Sequence, residues 1–126
     1  MSGTLDGQVV LITGTSGGIG RAAVLALAAE GARVVGVSRT PDHDDALAQA
    51  VAARGSTYLH LAGDARRAEV AKEAVRLCLE RFGRIDILVN NAARWYFSAL
   101  VDQQEENYDK VMNLNIKAMY FMTQAA

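Results

Sequence analysis

Apolar residues fall along this chain in two rhythms, short unbroken runs and longer stretches spaced by three and four, and the two alternate from end to end. The run Val9–Thr13 is brief, β-branched and followed by glycine, so it reads as a buried strand rather than a helix. Residues 19–30 are apolar on all sides and precede Gly31, which predicts a buried helix with a glycine stop. Arg33–Ser38 is a second buried strand. Pro41 stands near the first turn of a helix over 42–54, with acids at its start and Gly55 beyond its end. A third strand spans 57–62. Over 67–82, Val70, Ala71, Ala74, Leu77, Cys78 and Phe82 recur at helical spacing before Gly83. Residues 85–90 make a fourth strand, and 105–126 a long final helix.

Four strand–helix alternations with no repeat or low-complexity tract predict an α/β fold: a Rossmann-type, doubly wound parallel sheet in the order 3-2-1-4, with helices on both faces. At 126 residues the chain fits one domain. In such sheets ligands lie outside the carboxyl ends of the strands, where the strand order switches. Each motif of chemical interest in this chain falls at such an end.

The first of these ends carries the most chemistry. Val9–Thr13 runs into Gly14-Thr15-Ser16-Gly17-Gly18-Ile19-Gly20, which opens directly into the first helix. Glycine permits a sharp turn and close approach of a ligand, and the first amides of a helix have no internal partners. With the helix dipole, those N–H groups form a phosphate site, so the reading is a dinucleotide-binding strand–turn–helix.

Composition narrows the alternatives. Half of the residues (51%) are apolar and the net charge is −1, with acids and bases interspersed, so no basic face points to nucleic acid or a membrane surface. No apolar run is long enough to span a bilayer, and the polar start differs from a secretory signal. The one cysteine, Cys78, suits a reducing compartment, and a cytoplasmic location is expected. His43 and His60 lack a Cys/His/Asp cluster at ligand spacing, so no metal site is expected.

The spacing Thr13-Gly14-x-x-x-Gly18-x-Gly20 resembles the T-G-x-x-x-G-x-G fingerprint of the short-chain dehydrogenase/reductase family. Three further elements come in the family's order: Asp64 after the third strand, Asn90-Asn91-Ala92-Ala93 (similar to N-N-A-G) after the fourth, and Asn115 in the final helix. The resemblance covers essentially the whole chain. It implies that Gly14 makes the tight turn, Gly18 admits the pyrophosphate, and Gly20 packs helix against strand. Ser16 and the Ile19 amide would bind phosphate or ribose oxygens. Asp64, with its neighbour Ala65, would meet the adenine ring, and Asn91, Ala92 and Ala93 would line the adenosine ribose. Ala93 departs from the family's glycine, which is tolerable only if its backbone is ordinary for an L-residue.

An NAD site usually has a carboxylate at the end of the second strand. Here that end reads Ser38-Arg39-Thr40, with no acid before Asp42. A guanidinium pairs with phosphate in a fork and the two hydroxyls can donate as well, so NADP(H) is favoured over NAD(H). Gly17 stands where some NADP-preferring relatives carry a second basic residue, and the plain alternative for Arg39 is a solvated surface arginine.

On the final helix, Tyr108, Val111, Met112, Asn115, Met119 and Met122 share one face, and Leu114, Ala118, Phe121 and Ala125 a second. An amide within an apolar stripe needs hydrogen-bond partners. Asn115 therefore either ties backbone groups of a neighbouring strand or, as the family's catalytic asparagine, holds a water in a proton relay, and one amide could do both. A helix apolar on most sides needs cover, and the resemblance implies a homo-oligomer through it. The methionines read as adaptable core. Trp95-Tyr96-Phe97, between the fourth strand and this helix, would wall an apolar or cyclic substrate or pack against other parts of the protein.

The family's chemistry also needs a serine and a tyrosine followed four residues later by lysine. The residues four after Tyr58, Tyr96, Tyr108 and Tyr120 are Ala62, Leu100, Met112 and Gln124. The expectation is therefore the amino-terminal, dinucleotide-binding half of one catalytic domain, inactive alone, with an exposed sheet edge. The parent would be an NADP(H)-dependent oxidoreductase passing hydride between nicotinamide and a small-molecule carbonyl or alcohol. The other open reading is a non-catalytic NAD(P)-binding or oligomerising module that works at this length.

Overall fold

A computed structural model of the chain describes residues 3–40 and 45–126. Its elements are β1 (Val9–Thr13), α1 (Gly18–Ala29), β2 (Arg33–Ser38), α2 (Ala46–Ala52), β3 (Tyr58–Ala62), α3 (Ala68–Phe82) and β4 (Ile87–Val89), then a single 3-10 turn (Leu100–Asp102) and a final helix. The start expected for the second helix, with Pro41 and Asp42, lies outside the described residues, as does His43.

The four strands form one parallel sheet in the order β3-β2-β1-β4. Side chains alternate across a pleated strand, and here the alternation divides the core cleanly. Val9, Leu11, Val35 and Val37 face α3 and the final helix, packing on Ala71, Ala74, Cys78, Ala118 and Met122. Val10, Ile12 and Val34 face α1 and α2, packing on Val24, Ala28, Leu47 and Val51. Both faces of β1 and β2 are thus covered, which is why their sequences are unbroken apolar runs. Gly31, Gly55 and Gly83, the three glycines expected to stop helices, all take left-handed φ.

Two elements differ from expectation. β4 is shorter than 85–90. The Asp86 amide still donates to the Val9 carbonyl of β1 (2.9 Å), but a side chain takes the place of the backbone acceptor for Val9. The Asp86 carboxylate accepts the Val9 amide (2.8 Å) and an Arg84 hydrogen bond (2.6 Å), and only residues 87–89 pair with β1. The final helix is not uniform. It runs as α4 (Glu105–Met112), a π-helical turn (Asn113–Ala118) and α5 (Met119–Ala125). The wide turn takes up an extra residue and rotates α5 relative to α4. Met122 packs with Leu114, Ala118, Phe121 and Ala125 on the core face, while Tyr108, Met112, Ile116, Met119 and Tyr120 are exposed.

No helix among the described residues is long and apolar enough to cross a membrane.

Candidate functional site

All four strands point the same way, so Thr13, Ser38, Ala62 and Val89 end on one side of the sheet. From β1 the chain crosses to one face through α1, whereas from β4 it leads to the final helix on the other. The loops therefore diverge and leave a crevice between them. A cavity of about 420 Å³ fills it, lined by the β1–α1 turn, by 37–40, by 63–66, by 91–95 and by Leu114.

The glycine turn is shaped by its neighbours. Gly14 has φ +79°, and a Cβ there would stand 2.9 Å from both the Ala92 Cα and the Asn91 Nδ2, so both backbone conformation and space require glycine. A Cβ on the buried Gly20 would meet the Gly14 carbonyl oxygen, as expected for close strand–helix packing. Gly17 and Gly18 face open space, and Gly18 has φ +56°. Helix α1 begins there with no side-chain cap and no acid in its first turn. Its orphan donors thus open onto the cavity without a competing negative charge, an arrangement that fits a diphosphate.

Each expected residue has a definite place. Ser16 and Ile19 line the cavity, and Ile19 is 81% exposed. Thr13 does not line it. Its buried hydroxyl oxygen accepts the amides of Asn91 (3.2 Å) and Ala92 (3.0 Å), stapling the end of β1 to the chain leaving β4. The Asn91 side-chain amide donates to the Gly14 carbonyl (3.1 Å). Ala92 and Ala93 line the wall beyond, and among the described residues only Asp45 has positive φ without being glycine. Ala93 therefore has ordinary L-residue geometry, and its methyl group carries no strain.

At the opposite end, Arg39 and Thr40 are exposed and line the cavity with Ser38. The Ser38 hydroxyl donates to the Thr40 carbonyl (2.8 Å) and so accepts from His60 Nε2 (2.7 Å), which commits its one proton within the protein. Asp64 lines the same end, its carboxylate gripped by Arg66 (2.6 Å at the shortest contact). That guanidinium holds the Asp64 carboxyl below the usual carboxylate range, against partial burial, which acts in the other direction. Ala65 is buried and lines the same end. Arg39, Arg66 and Arg94 against the single carboxylate of Asp64 make the lining net positive.

Asn115 sits in the π-helical turn. Its Oδ1 accepts the Arg94 amide and its Nδ2 donates to the Arg94 carbonyl, both at 2.9 Å. The side chain thus mimics one rung of a sheet ladder and fixes the loop that leads to Trp95. Trp95 lines the cavity mouth and meets Phe97 edge to face, their ring centres 4.2 Å apart.

Sequence reasoning missed Arg66, Thr15 and Tyr58. The Tyr58 phenol donates to Thr15 Oγ1 (2.8 Å), and both residues are buried. This bond anchors the glycine turn to β3 across Gly36, where a Cβ would meet the Tyr58 hydroxyl and stand 2.8 Å from Thr15 Cγ2. A glycine inside an apolar strand was the available signal, since it marks close approach of another group.

Fold and crevice together define the doubly wound parallel α/β class, with its ligand site at the strand carboxyl ends. The chain belongs to the short chain dehydrogenase family, which it matches over residues 8–126. It is 41% identical over 118 residues to a cis-2,3-dihydrobiphenyl-2,3-diol dehydrogenase of Paraburkholderia xenovorans, covering 90% of this chain and 42% of that protein. Among solved structures, a Serratia marcescens short-chain dehydrogenase/reductase double mutant superposes with a TM-score of 0.90 at 33% identity, covering 97% of this chain and 50% of the other. The NADH-dependent reductase A1-R′ complexed with NAD superposes at 0.88 and 34% identity, covering 97% and 52%. The chain thus spans about half the length of the relatives it matches.

Proposed function

We propose that this chain carries the cofactor-binding part of an NADP(H)-dependent oxidoreductase acting on a carbonyl or alcohol substrate. The observation that carries this reading is the glycine turn, whose unpartnered helix amides open onto a net-positive cavity with Arg39 at its far end. When bound, the nicotinamide group supplies hydride exchange with a substrate carbon. The protein's own residues orient the ligand. Amides of residues 17–19 receive the diphosphate, while Asn91 and Thr13 hold the turn and the opposite wall in register. Arg39 meets a 2′-phosphate, there being no carboxylate at the end of β2 to receive free ribose hydroxyls. Asp64 accepts from adenine.

Asn115 acts by fixing the Arg94 backbone and so the Trp95 wall, which suits a cyclic or apolar substrate. Proton transfer in the complete protein would rest on a tyrosine–lysine pair that these 126 residues do not contain. The exposed face Tyr108, Met112, Ile116, Met119 and Tyr120 is the contact we assign to a homo-oligomer.

The test is fluorescence titration of NADPH and NADH into the chain and its Arg39→Ala variant. A charge-assisted hydrogen bond is worth about 1.5–3 kcal/mol, so the variant should lose roughly ten- to a hundredfold in NADPH affinity and little for NADH. An unchanged preference would remove Arg39 from the site.

A further inference from the structure

Three arginines line the cavity, and two of them already have a place in its chemistry. Arg66 is paired with Asp64, and Arg39 stands at the far end beside Ser38 and Thr40. Arg94 lies at the other end, where Ala92, Ala93, Trp95 and Leu114 complete the lining. Among the described residues no carboxylate pairs with its guanidinium. The nearby Asn91 side-chain amide is engaged with the Gly14 carbonyl (3.1 Å). Arg94 is therefore the one charged group at this end of the lining, and no acid neutralises it.

Its position is fixed from two directions. Asn115 bonds both polar groups of the Arg94 backbone at 2.9 Å, which sets where the side chain starts. The guanidinium then lies over the Tyr96 ring, 5.3 Å from its centre. A ring beneath the planar fork attracts the cation and covers one face, but the N–H groups point out along the edge and stay available. The residue is half-buried, and a cation drawn out of water without a counter-ion costs free energy that a bound anion would restore. One residue further on, Trp95 and Phe97 meet edge to face and are 66% and 88% exposed. An unpaired fork beside an open aromatic surface matches a ring that carries a carboxylate: the fork takes the two oxygens in parallel hydrogen bonds, and the ring rests on the indole.

We propose that Arg94 anchors an anionic group of the substrate, which makes the preferred substrate a cyclic alcohol or ketone bearing a carboxylate. The inference rests on the reading of the cavity as a dinucleotide site, because that reading leaves this end to the substrate. The cofactor's phosphates have other partners there, in the amides of residues 17–19 and in Arg39.

The experiment uses the whole chain and the emission of Trp95, the one tryptophan in the sequence. Benzoate and benzamide, alike in shape and different in charge, are titrated into wild type, Arg94→Met and Arg94→Gln, with thermal unfolding followed in parallel. Wild type should bind benzoate about tenfold tighter than benzamide, the effect of one hydrogen bond between charged groups. In the two variants, which keep a stem over Tyr96 without the charge, the two compounds should bind alike. Equal binding or no binding in wild type, or a benzoate preference that survives both substitutions, would overturn the proposal. Titration of NADPH into the same samples reads the dinucleotide site separately, and its affinity should be unchanged in both variants. A loss of about tenfold or more would place Arg94 on a cofactor phosphate and overturn the proposal as well. If wild type binds no NADPH, the dinucleotide reading fails and takes the substrate assignment with it, even where benzoate still binds.

Discussion

Replacing Asn115 by alanine is the sharpest perturbation of this architecture. The Asn115 amide alone accounts for two hydrogen bonds, one to each polar group of the Arg94 peptide backbone, both at 2.9 Å. An intramolecular hydrogen bond contributes about 0.5–1.5 kcal/mol net, so losing two should cost about 1–3 kcal/mol. Because Asn115 is only half-buried, water can partly satisfy the Arg94 groups, which places the expected loss near 2 kcal/mol. In urea unfolding, a slope of about 1–3 kcal/mol per M turns that into a midpoint roughly 1 M lower. Asn115→Asp supplies the control. It keeps the acceptor for the Arg94 amide but sets an oxygen against the Arg94 carbonyl. Protonating the new carboxyl restores a donor, which raises its folded pKa. The variant's deficit should therefore be largest at neutral pH and shrink as pH falls through that raised value. A midpoint shift under about 0.2 M in Asn115→Ala, or an Asp variant insensitive to pH, would refute the ladder-rung account.

Three other outcomes are expected from the same geometry. Tyr58→Phe should cost about 1–3 kcal/mol, since it leaves the buried Thr15 hydroxyl without its donor, and a double-mutant cycle with Thr15→Val should return a coupling near 1 kcal/mol; additive effects would mean that the bond does not contribute. Gly20→Ala sets a methyl group against the Gly14 carbonyl oxygen and 2.7 Å from Asn91 Nδ2, so it should lose about 1–3 kcal/mol together with most dinucleotide affinity, checked by chemical unfolding and titration. Asp86 is held below the usual carboxylate range by the Arg84 side chain and then by the Val9 amide. A depressed folded pKa means that its stabilisation is fully present above the unfolded value, about 3.9, and is lost as pH falls through the folded one, so Asp86→Asn should flatten the acid limb of a stability–pH curve below about pH 4.

Much of the fold could be read from residue order because parallel strands buried on both faces must be apolar throughout, and the glycines that end helices and make the turn are local requirements. β1 and β2 have the expected bounds, and the strand order is the one anticipated. The glycine turn was legible for the same reason: Gly14 and Gly18 take backbone conformations that other residues rarely adopt.

What residue order left open depends on which groups meet across the sheet. Whether the hydroxyl of Ser38 is already engaged and what Asn115 bonds are set by distances between residues as far apart as Ser38 and His60 or Arg94 and Asn115. Local pattern determined the elements and the glycine cradle, because those arise from each residue's own backbone and burial preferences. Tertiary structure decided how the polar side chains are used, because a hydrogen bond belongs to a pair of groups and packing alone chooses the pairs.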